Sequence, residues 1–485
     1  MERSGPVPPS EQLAALRAAK ALAGLDDEQL WVRYFSLGGN ADLMAVEAHL
    51  SGVLPLPPVD GDLLALAVNE RLDELVTARR VPYTRPQYRH RPTTGPLAAL
   101  LQLLDTASTA SPDRLPALTA DAGRMLGVEV VVHVVDHQQR RLWRLPCDDE
   151  PAGEPIAVEG TLPGRVFQTG TPLPSEGHGA PRLWVPLVDG ADRLGVLEVQ
   201  VGSAAELEDP GLRAQCRWLS SLVGHLVTSM GPYGDALERA RRTVRRSVSA
   251  ELIWQQLPPL TAASEQFVLA GLLEPAEDVG GDAFDYSLSR ETVSMAVFDA
   301  MGHGLPAGLI AAGALAAYRS VRRDGRSVFE QALAVDEVVA ATFPGSSFVT
   351  GVLAELATGS GRLRYVNAGH PPPLLLRGGR VVKELGGGRR VPFGIEAGGV
   401  TVGEEVLEPG DWLAVHTDGV TEARDASGAW FGEERLVELL TRASAAGHPP
   451  PETARRLMRA VLDHQGGVLQ DDATVLLACW DAGRP

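Results

Sequence analysis

The chain has 485 residues, a formal net charge of −18 and 44% hydrophobic residues. This length predicts about two to four domains, and the acidic balance argues against a nucleic-acid-binding protein, which presents a basic face. No apolar run reaches the roughly 18 residues of a membrane span, and the first residues lack the apolar core of a signal peptide. Three widely spaced cysteines, Cys147, Cys216 and Cys479, indicate a reducing compartment, so we expect a cytoplasmic protein.

The first 92 residues are predicted to form a helical module after a polar, proline-containing tail. Leu13, Leu16, Ala19 and Leu22 recur at helical spacing. The acidic run at 26–28 is a typical helix start, and Gly-Gly-Asn at 38–40 is expected to end that helix. Nothing here indicates chemistry, so we expect a packing or oligomerisation module. A basic stretch at 79–91 is interpreted as a solvated linker.

Residues 93–230 are predicted to form a second, α/β domain. The β-branched run at 127–135 favours a central strand, and a partner strand at 141–145 comes after a turn. Leu-Pro-Gly-Arg-Val at 162–166 and the closing strand Leu-Gly-Val-Leu at 194–197 resemble a GAF domain. That resemblance implies a small-molecule pocket, although no residue identifies a ligand, and a purely structural or dimerising domain is the alternative.

Residues 231–260 are predicted to form a helical linker. Leu237, Val244, Val248 and Leu252 approximate a heptad stripe, which predicts a two-stranded coiled coil and hence a homodimer. Five arginines between 239 and 246 are interpreted as its solvated exterior. Because the helix joins the GAF-like domain to the C-terminal part of the chain, any signal between these two regions must pass through it.

Four aspartates in residues 261–485 lie at the borders of apolar, strand-like runs: Asp282, Asp299, Asp418 and Asp471. Strand ends are where a rigid scaffold presents catalytic groups. Carboxylates that converge repel one another unless a cation lies between them, and their hard oxygens suit Mg²⁺ or Mn²⁺. Ordinary hairpin turns are the structural alternative for each motif alone, but four such sites favour a two-metal centre. Such a centre can lower the pKa of a bridging water and hold that water in position for attack.

Five ordered motifs resemble SpoIIE/RsbU-type bacterial phosphatases of the metal-dependent, protein phosphatase 2C-like (PPM) class. They are Gly-Gly-Asp at 280–282, Asp-Ala-Met-Gly-His-Gly at 299–304, Asn-Ala-Gly-His-Pro-Pro at 367–372, Thr-Asp-Gly at 417–419 and Asp-Asp-Ala-Thr at 471–474. The resemblance extends from near Leu252 to Trp480. It implies an α+β fold with a PPM-type β-sandwich flanked by helices.

The resemblance also implies roles for individual residues. Asp282 and Asp299 would be shared by two Mn²⁺ or Mg²⁺ ions, Asp418 and Asp471 would bind one of them, and the carbonyl of Ala300 would be a further ligand. Many family members have glycine at the position of Ala300, and an aromatic residue at the position of Ala283. Asp472 is expected to orient its neighbour, Asp285 to support the site from behind, and Asn367 and His370 to fix adjacent loops.

The function predicted on this basis is a metal-dependent serine/threonine protein phosphatase regulated by its N-terminal half. By family resemblance, its substrate would be a phosphorylated STAS-type anti-anti-sigma factor. Two alternatives stay open at this point: a catalytically silent binding module, against which the four aspartates argue, and a hydrolase of a small phosphorylated metabolite.

Overall fold

The computed structural model describes residues 8–74, 95–147, 153–176, 179–275, 280–343, 347–395 and 399–481. The predicted basic stretch at 79–91 and the residues 277–279 that precede the Gly-Gly-Asp motif lie outside these ranges. The chain divides into two compact units, Met1–Ala98 and Ala99–Pro485. The finer division at residues 92, 230 and 260 stays a prediction.

The first unit is helical, as its apolar spacing predicts. Its helices are α1 (Pro9–Ala23), α2 (Asp27–Ser36), α3 (Leu43–Ser51) and α4 (Pro58–Glu74). The predicted start at 26–28 is confirmed: the side chain of Asp26 accepts a hydrogen bond from the backbone N–H of Gln29, and the Gln29 side chain accepts one from the Asp26 N–H, which is a capping box. Leu16, Leu30 and Tyr34 are among the residues that form the core of this unit.

The second unit opens with a sheet domain, which we call the middle domain. Its elements are α5 (Pro96–Ala107), α6 (Leu115–Met125), β1 (Glu129–Val135), β2 (Arg141–Arg144), β3 (Ile156–Ala157), α7 (Leu162–Thr169), β4 (Leu173–Ser175), β5 (Arg182–Asp189), β6 (Asp192–Gln200), α8 (Pro210–Met230) and α9 (Ala236–Arg241). The strands form one sheet in the order β3-β2-β1-β6-β5-β4. One apolar cluster joins the sheet to α6 and α8, and a smaller one joins it to α7. The assignment to the GAF class stays a prediction.

The predicted continuous linker helix is wrong. Residues 242–247 are not helical, and a new helix, α10 (Val248–Trp254), begins where the Ser247 hydroxyl accepts a hydrogen bond from the Ala250 N–H. Leu237 packs in the core of the middle domain, whereas Ile253 packs in the core of the following domain. The apolar residues of α9 and α10 therefore belong to two different cores, and the chain turns between these two helices.

The interpretation of the linker arginines as a solvated exterior is wrong for Arg241 and Arg246, whereas Arg239 and Arg245 are exposed. The guanidinium of Arg241 donates to the carbonyl oxygen of Val135 over 3.1 Å. Arg246 pairs with Glu238 at 3.0 Å and lies over the Trp254 ring, 3.9 Å from its centroid. These side chains tie the linker to both neighbouring domains, because their charge and planar faces are used in contacts rather than hydrated.

The C-terminal domain contains two sheets. Its strands are β7 (Thr261–Ser264), β8 (Phe267–Glu274), β9 (Asp282–Leu288), β10 (Thr292–Ala300), β11 (Val349–Ala357), β12 (Arg362–Ala368), β13 (Leu374–Arg377), β14 (Arg380–Glu384), β15 (Arg389–Arg390), β16 (Gly403–Val406), β17 (Trp412–His416) and β18 (Ala473–Trp480). The first sheet has the order β15-β12-β11-β10-β9, with β16 paired to β12. The second has the order β14-β13-β17-β18-β8-β7. The Gly-rich run before Arg389 leads into β15, which pairs with β12.

Helices cover the outer faces of the two sheets. They are α11 (Gly304–Arg323), α12 (Val328–Thr342), α14 (Glu433–Ala445) and α15 (Pro450–His464), while a short helix, α13 (Asp418–Thr421), follows β17. One core joins both sheets to α11 and α12, and a second joins β8, β17 and β18 to α14 and α15. The predicted α+β class, with a sandwich flanked by helices, is confirmed. Within the described residues, no helix has the length and apolar character needed to cross a membrane.

Candidate metal centre

Two of the predicted aspartates meet across one ladder of the first sheet. Asp282 begins β9 and Asp299 lies near the end of β10, and these two residues are direct partners in the antiparallel register. Directly opposed residues in such a pair place their side chains on the same face, within about 5.5 Å at Cβ. Phe284, two residues along β9, packs against Gly271 of the second sheet, so this face points into the sandwich.

The second sheet supplies the other two aspartates. Asp418 follows β17 and begins the short helix α13, and Asp471 precedes β18, the neighbour of β17. All four aspartates and Ala300 line a single cleft of about 240 Å³, together with Asp472 and Thr350. The structure therefore brings every predicted site residue to one place, where the ends of both sheets meet.

Two threonines that the sequence analysis did not single out fix Asp282. The hydroxyls of Thr417 and Thr474 donate to Asp282 Oδ2 over 2.8 and 2.6 Å, and both threonines are fully buried. The Thr474 N–H donates in turn to the Thr417 hydroxyl over 3.0 Å. These contacts cross from one sheet to the other and hold one oxygen of the carboxylate. The signal was present, since each threonine belongs to a motif that also carries a site aspartate.

Asp472 positions the backbone that carries Asp282. Its Oδ2 accepts the Gly281 N–H over 2.8 Å and the Asp282 N–H over 3.3 Å. The expectation was that Asp472 orients its neighbour, and its backbone N–H donates to Asp471 Oδ1 over 2.9 Å. A methyl group on Gly281 would lie 2.7 Å from the Ala300 carbonyl oxygen, and one on Gly419 would lie 1.9 Å from the Asp472 carbonyl oxygen. Both motifs thus need glycine because backbone approaches too closely for a side chain.

A second chain of contacts reaches Asp299. The Thr350 hydroxyl lies 3.5 Å from Asp299 Oδ2 and 2.9 Å from His370 Nδ1. Asn367 accepts the His370 N–H over 2.9 Å and donates to the His370 carbonyl over 3.0 Å. Asn367 and His370 therefore fix a loop beside the cleft, as expected, while Thr350 was missed because no motif marks it.

The expectation for Asp285 is wrong. Alternation along β9 places it on the opposite face from Asp282, where its two oxygens pair with Arg319 at 2.8 Å and Arg322 at 2.7 Å, both on α11. Asp285 is 2% exposed. It ties the strand to the covering helix and has no direct contact with the cleft.

Ala300 satisfies the condition for supplying a carbonyl ligand in place of glycine. Among the described residues, Gln139 is the only non-glycine residue with positive φ, so the turn imposes no left-handed conformation on Ala300. The positive φ values of this turn fall on Gly302 and Gly304, at +99° and +69°. An alanine carbonyl is therefore available at the cleft wall without backbone strain.

The carboxylates create a strongly negative cleft. Burial and the negative charges of Asp418, Asp471 and Asp472 raise the pKa of Asp299 to about 7. Burial and the charges of Asp299 and Asp472 raise the pKa of Asp282 well above its ordinary value. Crowded anions of this kind are stabilised by a cation.

The donor set fits Mg²⁺ or Mn²⁺ in its chemistry, since every candidate ligand is a hard oxygen. Within the described ranges, no group of three or more His, Cys, Asp or Glu side chains is arranged closely enough to hold a metal ion. The arrangement is an open acidic cleft, which suits ions that keep several water ligands.

Comparison with known proteins finds relatives of the C-terminal domain. Residues 289–481 match the family described as Stage II sporulation protein E (SpoIIE). Protein IcfG of Synechocystis sp. is 23% identical over 278 residues, which cover 51% of this chain and 42% of IcfG. Phosphoserine phosphatase RsbU of Bacillus subtilis is 24% identical over 274 residues, 52% of this chain and 77% of RsbU. The chain thus spans less than half the length of IcfG.

Among solved structures, the RsbU and RsbW domains of a Mycobacterium tuberculosis protein are 28% identical to this chain. They cover 45% of it and 63% of their own chain, with a TM-score of 0.39. The family match and the similarity to RsbU point to the same class. The C-terminal domain of this chain, which contains residues 289–481, is similar to SpoIIE-type phosphatase domains.

Proposed function

We propose that the chain is a metal-dependent serine/threonine protein phosphatase. One observation carries the proposal: Asp282 and Asp299 from one sheet and Asp418 and Asp471 from the other line the same cleft. A catalytically silent binding module has no need for four carboxylates at one point, because unpaired buried charge costs stability.

Each residue of the cleft has its own role in the proposed metal binding. Asp282 and Asp299 would hold both ions, Asp418 and Asp471 would complete one of the two ligand sets, and Ala300 would contribute its carbonyl oxygen. Two bound Mn²⁺ or Mg²⁺ ions would supply the charge that activates water and neutralises a phosphoryl group.

The surrounding residues fix the carboxylates in advance. Thr417 and Thr474 restrain one oxygen of Asp282 and leave Oδ1 outside those two hydrogen bonds. Thr350 restrains Asp299 from the His370 side. Ligands held in place before binding lose little freedom when they bind, and such supporting contacts tune metal affinity.

The proposed substrate is a phosphoserine or phosphothreonine protein of a cytoplasmic signalling circuit, specifically a STAS-type anti-anti-sigma factor. The similarity to a protein named phosphoserine phosphatase RsbU supports a phosphoserine group as the substrate. Regulation by the middle domain, with or without a small ligand, belongs to the same proposal. The same proposal includes a homodimer. Its interface would not be the predicted continuous helical stripe, because Leu237 is buried within its own chain.

A substrate panel tests the proposal. The full chain, loaded with Mn²⁺, is given a phosphorylated STAS protein, a phosphoserine peptide and a small phosphoester such as p-nitrophenyl phosphate, and released phosphate is measured. We expect the highest kcat/KM for the phosphoprotein. A preference for the small ester would favour a metabolite hydrolase, and absence of turnover on all three would favour the silent binding module.

A further inference from the structure

Glu452 is the centre of an ion-pair network between the middle and C-terminal domains. It lies in the first turn of α15 and is 2% exposed. Its carboxylate accepts hydrogen bonds from Arg455 over 2.9 and 2.8 Å and from Arg456 over 2.7 Å. The third guanidinium comes from the other domain: Arg193 of β6 lies 3.4 Å from Glu452 Oε2.

A second ion pair crosses the same boundary beside the first. Glu159, which precedes α7 in the middle domain, pairs with Arg455 at 2.6 Å and with Arg459 at 3.1 Å. Arg455 therefore bridges Glu452 of its own helix and Glu159 of the other domain. We call the five residues Glu159, Arg193, Glu452, Arg455 and Arg459 the interdomain clamp.

The middle domain holds its side of the clamp in a fixed position. The Arg193 guanidinium donates to the Gln139 side chain over 3.2 Å and lies 4.8 Å from the centroid of the Phe167 ring. Its side chain is 10% exposed. An arginine restrained on two sides presents its charge to Glu452 in a defined geometry.

The charges in the clamp are matched, although burial opposes them. Burial raises the pKa of Glu452, but the hydrogen bonds and charge of Arg455, with Arg456 and Arg193, outweigh it and hold that pKa below its ordinary value. Buried ion pairs of this kind add little net stability relative to apolar packing, but they specify one arrangement, and removing one partner is costly. The clamp is thus suited to fixing how the two domains dock.

The helix that carries the clamp leads directly to the metal cleft. Leu457, Met458 and Val461 of α15 pack in one core with Leu272 of β8 and Val475 of β18. The helix ends at His464. The following residues, 465–472, connect it to β18 and include Asp471 and Asp472. Within this segment the Gln470 N–H donates to the Gln465 side chain over 3.3 Å.

A displacement at the start of α15 therefore has a short path to the site. Asp471 is a proposed metal ligand, and Asp472 accepts the N–H groups of Gly281 and Asp282. A packed helix moves as a rigid body rather than bending gradually, so a shift at Glu452 is passed on to the segment at its other end.

We propose that the interdomain clamp is a regulatory contact, through which the middle domain holds α15 and thereby the segment that carries Asp471. Withdrawal of Arg193 and Glu159, as when the middle domain shifts, releases this segment and weakens metal binding. The inference rests on the metal site of the proposed function, and it assigns the middle domain a direct contact with the phosphatase domain in addition to the linker.

The test compares two double variants of the full chain. Glu159→Ala with Arg193→Ala removes the middle-domain half of the clamp. Glu208→Ala with Arg213→Ala is the matched control, because it removes one acidic and one basic residue that pair at 2.9 Å within the middle domain, away from α15. For each protein, hydrogen exchange is measured by mass spectrometry and Mn²⁺ binding by calorimetry.

We expect faster exchange at residues 465–472 in the clamp variant and a Mn²⁺ dissociation constant raised about fivefold or more, the usual scale of coupling between sites. The control should match the unmodified chain in both respects. Glu159→Gln alone, which spares the buried Arg193, should move both readouts in the same direction by less.

Unchanged exchange at 465–472 in a folded clamp variant would overturn the proposal. So would exchange that rises equally throughout the chain, which would make the clamp a general stabiliser. If the unmodified chain binds no Mn²⁺, the proposed function fails, and the exchange of residues 465–472 alone decides the clamp.

Discussion

The two sides of the metal cleft are built differently. On the side of the first sheet, Asp282 is 3% exposed and opposes Asp299 within a continuous ladder. On the side of the second sheet, Asp418 and Asp471 lie outside the strands, in a four-residue helix and a connecting segment, and Asp471 is exposed. The first side is thus fixed by the sheet itself, whereas the second depends on what holds its connections.

This difference indicates where the site is adjustable. The backbone hydrogen bonds of a strand ladder break only when the domain unfolds. Connecting segments open locally, at a lower free-energy cost. We therefore expect loss of Asp282 or Asp299 to abolish metal binding, and changes on the Asp471 side to adjust metal affinity without abolishing binding. The interdomain clamp acts on the adjustable side, which is where a regulatory contact has the most effect.

The largest effect is predicted for the ladder side. Asp299→Ala should lower kcat by about 1,000-fold or more, because a carboxylate proposed to serve both ions would be lost from a preorganised site. Asp282→Ala should do the same. Phosphate release from a phosphoserine protein measures the loss, and circular dichroism checks the fold. Asp324→Ala, at the exposed end of α11, is the control and should be unaffected. Near-normal activity in either cleft variant would remove that residue from the ligand set.

A smaller effect is predicted on the opposite side. Asp471→Ala should lower activity by about 100-fold at limiting Mn²⁺ and recover part of it at high Mn²⁺, since one ligand of one ion is lost from an exposed position. Titration of activity with Mn²⁺ separates affinity from turnover. Asp481→Ala, just beyond the other end of β18, is the matched control. A loss as large as that of Asp299→Ala, with no recovery, would abolish the distinction between the two sides.

The smallest effect is predicted for a residue that acts through Asp282. Thr474→Val removes one of two hydroxyls from Asp282 Oδ2 and should raise the Mn²⁺ dissociation constant about tenfold. Thr358→Val, which removes a buried hydroxyl bonded to the Arg290 carbonyl at the far end of the same domain, is the control. An unchanged dissociation constant in the Thr474 variant would show that the hydroxyl supports only the fold.

The sequence was sufficient to predict which residues meet at the cleft, because each motif contains its own structural requirement. Glycine at 281 and 419 is needed where backbone oxygens approach within 2.7 and 1.9 Å of an added methyl group. Because these steric constraints fall on residues of the motifs themselves, they are visible in the sequence as conspicuous glycines. Thr350 was missed because its role comes from pairing with β10 across the sheet, which no neighbouring residue in the sequence signals.

The linker could not be predicted from local spacing. Four apolar residues at heptad-like positions are compatible with one long helix, but Leu237 and Ile253 belong to two different cores. Val244 and Val248, also assigned to the seam, are 50% and 73% exposed. Which core an apolar residue joins is decided by tertiary packing, and here packing overrides helix periodicity. The homodimer stays a prediction that needs another surface than the one first assigned.

If the four aspartates hold divalent ions for phosphoprotein hydrolysis, metal-dependent turnover is the most direct test of that role. The full chain is stripped with chelator, and phosphate release from a phosphoserine protein is measured as Mn²⁺ or Mg²⁺ is added back. We predict no turnover in the stripped protein and recovery that saturates with added metal. Full turnover in thoroughly stripped protein would contradict a metal-dependent mechanism at this cleft.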